Sequence, residues 1–291
     1  MLRARRASGR LSSSAMAWHA RLDLDYLKHG SRTLTRHAHE GPLRILQTLY
    51  PEDESIAHNV LVHPPSGLVA GDTLDLAIRV GEQAHGLITT PGAARFYRSE
   101  GDPAVQRTQI TLATGARFEW LPQETLCYSG CIAENHLIAE LAPGAELMGW
   151  DITALGLPAS ELPFKSGSVL QHLELKGSWL ERGRIAADDT RLLDGPVGLA
   201  GHRCIATLFF ATHAPIPRAR REEALARAQA VIEQHPDGIV AGATAPAPNV
   251  IVVRALSGLV EPAMSLFRAL RGAWRTALWD VPATAPRVWS V

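Results

Sequence analysis

Glycine and proline divide most of this chain into short segments. Between Trp18 and Phe210 one or the other recurs about every 8 to 15 residues, so no segment between them reaches the roughly 12 residues of an average helix. Short segments bounded by turn-forming residues are typical of strands joined by tight turns. The regular recurrence of glycine and proline therefore predicts a mainly β fold of many short strands.

Two segments show the alternation that a half-buried strand requires. Ile110 and Leu112 fall on one face of their segment, and Leu173 and Leu175 do the same further along the chain. Polar residues lie between the members of each pair. This pattern indicates sheets with one buried face and one solvated face.

The last third of the chain has apolar residues at helical spacing. One helix is predicted over Arg218–Gln234, between Pro217 and Pro236, because proline often flanks helices. A second helix is predicted over Glu261–Trp279, with a proline in its first turn, where proline is tolerated. We therefore expect two α-helices in the C-terminal third.

Composition excludes several classes of protein. The chain has 291 residues, with 29 Lys+Arg and 29 Asp+Glu, whereas non-specific nucleic-acid binding requires a basic surface. Its apolar runs fall far short of the ~20 residues that span a membrane. Three cysteines do not suit a secreted disulfide scaffold and indicate a reducing compartment. We expect a cytoplasmic protein without nucleic-acid or membrane partners.

The N-terminal segment differs from the rest of the chain. Residues 1–16 are rich in arginine and serine and contain no acidic residue, a composition that resembles a transit peptide. They are interpreted as a disordered or non-native extension, with Met16 as a candidate start. Residues 17–291 are then predicted to form a single β domain.

A loop rich in proline and glycine, HPPSGLVAGD, spans residues 63–72. The prolines stiffen the loop, and the glycines permit a positive φ or a close backbone approach. In one interpretation His63 and Asp72 face a ligand from this shaped loop. In the other the segment is a rigid turn with a solvated histidine.

A second segment, TTPGAARFYRS, spans residues 89–99 and contains Arg95, Phe96, Tyr97 and Arg98. Arginine and tyrosine are common anchors at protein interfaces, so these four residues are a candidate partner-binding edge. A turn followed by a half-buried strand accounts for the same residues equally well.

A third segment, FEWLPQET, spans residues 118–125 and contains Glu119 and Glu124. A regular strand would point the two carboxylates apart, but Pro122 offers a bend. Three interpretations stay open. The pair is the acid/base pair of a hydrolase, or it faces a metal ion, or both residues are surface and turn-capping groups.

The second predicted helix combines basic and aromatic residues. Arg268, Arg271 and Arg275 are expected to be exposed beside Trp274 and Trp279, a mixture typical of interfaces. Of these, Arg268, Arg271 and Trp274 are candidate partner-binding residues. The alternative is a core helix with a solvated basic face.

The remaining motifs are weak. Cys127 and Cys131, with His136 downstream, are soft ligands at a looser spacing than a structural zinc site has. His37 and His39 would share one strand face. The sequence has no nucleophile elbow, Walker A motif or dinucleotide fingerprint.

Taken together, the three segments resemble the motifs of the UreD family of urease accessory proteins, also called UreH. The resemblance rests on HPPSGLVAGD at 63–72, TTPGAARFYRS at 89–99 and EWLPQET at 119–125. It extends from Trp18 to near the C-terminus and is most specific over residues 41–126.

This chain departs from the family pattern at two positions in the first motif. The family usually has glycine where this chain has Ser66 and Ala70. If the backbone requires a positive φ at either position, the side chain there is strained.

The resemblance implies a fold and a function. The fold is a mainly β domain whose strands stack in a helical arrangement, with two helices near the end. The function is urease maturation: a scaffold joins apo-urease to a helical accessory protein (UreF) and an accessory GTPase (UreG), and helps pass Ni²⁺ to the urease active site. Such a scaffold has no catalytic turnover, and its nickel is transferred rather than retained.

A nickel path requires groups that bind the ion and release it, so carboxylates and histidines suit it better than a closed thiolate site. The motif residues available are His63, Asp72, Glu119 and Glu124, with Asp151 and Asp23 as weaker additions. Two alternatives stay open: a hydrolase that uses Glu119 and Glu124, and a metal-free β-rich interaction module.

Overall fold

The computed structural model of the protein describes residues 17–235 and 238–290. The predicted extension at residues 1–16 lies outside this part of the chain. The described strands are β1 (His19–His29), β2 (Arg32–Glu40), β3 (Arg44–Ile45), β4 (Ile56–Val62), β5 (Thr73–Val80), β6 (His85–Thr89), β7 (Ala94–Phe96), β8 (Ala104–Leu112), β9 (Arg117–Leu121), β10 (Thr125–Cys127), β11 (Ile132–Leu141), β12 (Glu146–Leu157), β13 (Leu162–Pro163), β14 (Ser168–Leu175), β15 (Trp179–Ala186), β16 (Cys204–Thr212), β17 (Ile239–Ala247) and β18 (Val250–Ser257).

The helices follow the prediction, with one addition. The two long helices are α2 (Arg218–Gln234) and α3 (Val260–Trp279), and a short helix, α1 (Thr190–Asp194), precedes them. The side chain of Asp189 caps α1 by accepting the Leu192 N–H at 3.0 Å. The prediction of two helices missed α1 because one turn is too short for a periodic pattern.

The strands form two sheets. The first has the order β15-β14-β11-β8-β5-β1-β2, and the second has the order β17-β18-β16-β12-β9-β6-β4-β3, with β7, β10 and β13 paired beside it. The chain passes repeatedly from one sheet to the other, and most pairings between successive coils are parallel. The predicted stacked, helical β arrangement is confirmed.

The register gives the size of one coil. In the second sheet Ile56 pairs with His85, His85 with Arg117, and Arg117 with Glu146. One coil therefore takes about 30 residues, which is in the range of solenoid repeats.

Two apolar layers hold the fold together. The first lies between the sheets and contains Ile110, Leu112, Leu173 and Leu175, as their alternation predicts. The second lies between the outer face of the second sheet and helices α2 and α3. In the described part of the chain, no helix is long and apolar enough to cross a bilayer.

The expected strain in the first motif is present at one of its two positions. Ser66 has a φ of +67°, whereas Ala70 is not in the positive region. Ser66 is exposed, so its side chain contributes little packing.

Replacing Ser66 by glycine should stabilise the protein by up to about 1 kcal/mol. The left-handed conformation costs a side chain about 1–2 kcal/mol, which exceeds the cost of about 0.5–1 kcal/mol for ordering a glycine. Ala70→Gly is the matched control and should destabilise, since its φ brings no relief. Urea unfolding measures both variants. Equal effects at the two positions would contradict the strain at Ser66.

Candidate functional site

The three motif segments meet at one place in the fold. The Leu68 N–H donates to the Arg95 carbonyl at 2.8 Å, and the Tyr97 N–H donates to the Leu68 carbonyl at 2.9 Å. The second and third segments are joined by the Ala94 N–H, which donates to the Glu124 carbonyl at 2.9 Å. Residues far apart in sequence therefore form one continuous region at the edge of the coils.

A glycine makes the closest of these approaches possible. A Cβ atom built on Gly67 would lie 2.1 Å from the ring of Tyr97. Only glycine therefore lets the first loop lie against the second segment.

Asp72 holds the first loop in place. One carboxylate oxygen accepts the Trp18 N–H at 2.9 Å, and the other accepts the Val69 N–H at 2.9 Å. Both oxygens are thus engaged in closing the turn. This geometry agrees with the interpretation of the segment as a rigid turn. The predicted place of Asp72 in a nickel path stays a prediction.

His63 lies at a cavity of about 220 Å³. We call this the entry cavity; its lining includes His63, Ser66, Thr90, Arg95 and Gln106. Partial burial lowers the pKa of His63, although the nearby Asp72 opposes the shift. The imidazole is therefore neutral at pH 7, which is the form that binds metal ions.

A smaller cavity of about 40 Å³ lies next to the entry cavity, between the two sheets. We call it the inner cavity; its lining includes Thr125, Asn135 and Asp151. The two cavities share Thr90 and Gln106 in their linings, so they adjoin. Its volume is sufficient for water, and its lining offers polar partners.

Asp151 is the carboxylate of the inner cavity. It accepts hydrogen bonds from Asn135 Nδ2 at 2.7 Å, from Gln171 Nε2 at 2.6 Å and from Thr153 Oγ1 at 2.8 Å. Burial raises the pKa of Asp151, and these hydrogen bonds only partly oppose the shift. The sequence alone marked Asp151 as a weak candidate, because its amide partners are on other strands.

Glu119 lies on the opposite face of the second sheet from Asp151. It pairs in register with Met148, and Asp151 is three residues further along β12, where side chains point to the other face. Glu119 accepts from Arg271 Nε at 2.6 Å and from Arg275 Nη1. Both of its oxygens are occupied by guanidinium groups of α3.

The ion pairs set the charge state of Glu119. Burial by itself raises the pKa of this carboxyl, but the adjacent Arg271 and Arg275 outweigh burial and hold the pKa well below its usual range. His85 Nε2 lies 3.6 Å from Glu119 Oε1, too far for a hydrogen bond. Burial lowers the pKa of His85, so its imidazole is neutral.

The buried network extends beyond the helix. Arg275 also donates to Glu52, whose other oxygen lies 2.9 Å from His58 Nε2. The two arginines donate further to backbone carbonyls of the C-terminal tail, at Thr284 and Pro282, each at 2.8 Å. The network therefore connects α3 to the second sheet and to the tail.

The prediction that the basic residues of α3 are exposed beside its tryptophans is wrong. Arg271 is 1% exposed, Trp274 0% and Arg275 0%. Helix α3 packs on the sheet and against α2, and the tail after α3 covers its two buried arginines. The exposed positions of α3 are Glu261, Ser265, Ala269 and Thr276, so its solvated face is not basic. Arg268 is half-buried, with its guanidinium 4.8 Å from the centre of the Trp289 ring.

The four residues of the candidate partner-binding edge lie in four different environments. Phe96 is 1% exposed and belongs to the core, and Arg95 lines the entry cavity. Tyr97 is half-buried and its ring centre is 4.8 Å from that of Tyr128. Of the four residues, Arg98 is the exposed one. Their role in partner binding stays a prediction.

The described residues contain no group of three or more histidine, cysteine or acidic side chains already arranged to hold a metal ion. Cys127, Cys131 and Cys204 are free and buried. Burial raises the pKa of Cys204 to about 11, so this thiol is protonated at pH 7. Glu124 is half-buried and takes no part in the Glu119 ion pairs.

These features define a class of protein. Stacked coils enclose an apolar core with a small polar cavity, and the buried carboxylate of Glu119 is fixed in structural ion pairs. The molecule is a β-solenoid protein with helices packed on one of its sheets.

Comparison with known proteins identifies the family. The family model described as UreD urease accessory protein matches residues 19–290, and the chain belongs to this family. A urease accessory protein UreD from a Polaromonas species is 59% identical over 95% of this chain and 100% of its own length. The one from Variovorax paradoxus is 58% identical over 94% and 100%, and the one from Leptothrix cholodnii is 50% identical over 94% and 99%.

Membership of this family confirms the resemblance drawn from the three motifs. The family consists of accessory proteins rather than enzymes, so the hydrolase alternative is wrong. The structure gives the physical reason, because the arginines of α3 neutralise Glu119 and leave it unable to act with Glu124.

Glu119→Gln should destabilise the protein strongly. It leaves the buried Arg271 without a carboxylate and leaves Arg275 with Glu52 alone. Breaking a buried ion pair in this way costs about 3–5 kcal/mol. Glu124→Gln is the matched control, with an expected change within about 0.5 kcal/mol. Urea unfolding compares the two variants. A loss for Glu119→Gln no larger than that of the control would contradict the structural role.

The same carboxylate should make stability depend on pH in acid. Its pKa is lower in the folded state than its ordinary value of 4.5, so the unfolded chain binds more protons. The stabilisation is therefore full above the ordinary pKa and is lost as pH falls from about 5 toward 2. Urea unfolding across this range should give a steeper loss for the wild type than for Glu119→Gln. Parallel curves would contradict this assignment.

Proposed function

We propose that this protein is a urease maturation scaffold that joins apo-urease to the nickel-carrying accessory proteins and helps pass Ni²⁺ to the urease active site. The observation that supports the passage of nickel is the pair of adjoining cavities from His63 to Asp151. Family membership supports the role in urease maturation.

The chemistry of the two cavities suits an ion in transit. His63 offers a neutral imidazole at the entry, and Asp151 offers the single carboxylate of the inner cavity. Histidine and carboxylate ligands suit nickel, and few ligands at each point allow its release. The amide nitrogens of Asn135 and Gln171 and the hydroxyl of Thr153 donate to Asp151 and hold its carboxylate at the cavity.

The other motif carboxylates have supporting parts in this proposal. Asp72 closes the loop that presents His63, and Glu119 fixes α3 against the sheet that forms one wall of the interior. Glu124 joins the segment next to the cavities through its backbone carbonyl. Asp72, Glu119 and Glu124 have these structural parts in the scheme, and their predicted place as ligands on the nickel path stays a prediction.

The proposed partners are apo-urease, the helical accessory protein UreF and the accessory GTPase UreG. The predicted partner contacts that still reach solvent are Arg98 and the half-buried Arg95, Tyr97 and Arg268. We place the complex in the cytoplasm and assign residues 17–291 to one domain. Nickel is cargo in this scheme and is not retained.

Asp151→Asn should lower urease activation in cells grown with limiting nickel, by about tenfold or more. Asn keeps the size of the side chain but removes the charge that attracts the ion. Urease activity and urease nickel content measure the effect, and recovery of urease with tagged protein measures complex formation. Asp75→Asn, on the outer face of the first sheet, is the matched control.

Thermal unfolding of the Asp151→Asn variant shows whether a loss of urease activation comes from a loss of folding. Since burial raises the pKa of Asp151, its charged form disfavours folding at pH 7. Asp151→Asn should therefore fold with a stability close to that of the wild type. Normal complex formation together with normal activation and nickel content would contradict the nickel path and favour the metal-free interaction module.

A further inference from the structure

Two histidines face each other on the outer surface of the first sheet. His136 on β11 pairs in register with His172 on β14, and their ring centres are 5.4 Å apart. Asn135 and Gln171, one position earlier on each strand, point inward to Asp151. Side chains alternate along a strand, so the histidines lie on the opposite face, away from the cavities.

Each histidine has a carboxylate beside it on its own strand. His136 Nε2 is 3.3 Å from Glu134 Oε2, and His172 Nε2 is 2.8 Å from Glu174 Oε2. The side chains are 13–30% exposed, so solutes reach them. The four residues sit on two adjoining central strands, which fixes their backbone positions better than a loop does.

We propose that this outer-face cluster binds one divalent transition-metal ion, with His136 and His172 as imidazole ligands and Glu134 and Glu174 as carboxylate ligands. Imidazole nitrogen combined with carboxylate oxygen suits nickel, zinc and copper ions. Two ligands bound to one ion at 2.0–2.2 Å lie about 3 Å apart, which is close to the present separation of each imidazole from its carboxylate.

Binding requires a rearrangement of side chains. Each Nε2 atom now faces the carboxylate of its own strand, and the four groups do not yet converge on one point. Rotation between staggered rotamers of these half-buried side chains brings the imidazoles together without moving the backbone. Without the ion, each histidine therefore stays paired with the glutamate of its own strand, and binding of the ion replaces these two pairs.

Neighbouring arginines limit the affinity. Arg107 and Arg182 flank the two histidines in the same row of the sheet. Arg107 also contacts Asp75 at 3.4 Å, and Arg184 lies 3.6 Å from Glu134. Their charges oppose a cation, and solvent and salt screen the exposed ones. We expect a reversible site rather than a closed structural one.

This proposal does not rest on the nickel path through the interior, because the two sites are on opposite faces of β11 and β14. Calorimetric titration of the purified full chain with NiCl₂, and separately with ZnCl₂, tests it. The double variant His136→Ala/His172→Ala should lose one bound ion per chain. Glu134→Gln and Glu174→Gln should each weaken binding by about tenfold or more.

The matched control is His37→Ala/His39→Ala, which removes an exposed histidine pair whose ring centres are 5.9 Å apart. It should keep the ion that the first double variant loses, and Asp151→Asn should also keep it. Circular dichroism checks that each variant is folded. The proposal is overturned if the wild type binds neither ion, or if the His136/His172 variant binds with unchanged stoichiometry and affinity.

Discussion

The attachment of helix α3 to the solenoid depends on one buried set of ion pairs. Glu119 and Glu52 on the sheet side balance Arg271 and Arg275 of the helix, so the buried charges match in number. A buried charge without a partner would be too costly. Glu119 and Arg271 are separated by 152 residues in the chain, so these pairs form only after the coils and the helix have come together.

This constraint separates two kinds of polar group on one sheet. Because side chains alternate along each strand, Glu119 points to the helices and Asp151 points between the sheets. The outward carboxylate is saturated by guanidinium groups and serves stability. The inward one is held by neutral amide and hydroxyl donors and keeps a raised pKa. The two-residue period therefore allows one sheet to carry buried ion pairs on its outer face and a polar cavity on its inner face.

Local patterns in the sequence predict the elements well. Alternation places Leu173 and Leu175 in the core, and proline punctuation gives α2 its observed bounds. The coil repeat of about 30 residues was not predicted from the sequence, because the coils differ in length and share a geometry rather than a sequence motif. Helix α1 was not predicted either, because its only signal in the sequence is the capping residue Asp189.

The site residues were harder to predict because their partners are distant in sequence. The basic residues of α3 have the spacing of a solvated helix face, and only Glu119 and the C-terminal tail make their burial possible. The environment of Asp151 likewise depends on hydrogen bonds from Asn135 and Gln171, which lie on two strands of the other sheet. The pattern of residue types along the chain does not show which distant residues pair in the fold.

The three motifs were nevertheless informative together, and the structure explains why. Each is a loop or short strand at the same end of the coils, and backbone hydrogen bonds join them through Leu68 and Ala94. Their glycines and prolines serve close packing, as at Gly67 against Tyr97. The entry cavity is lined by residues of the first two motifs, and the inner cavity by residues of the second and third. Residues selected for tight backbone packing thus mark the region that encloses the proposed path, although most of them would never touch the ion.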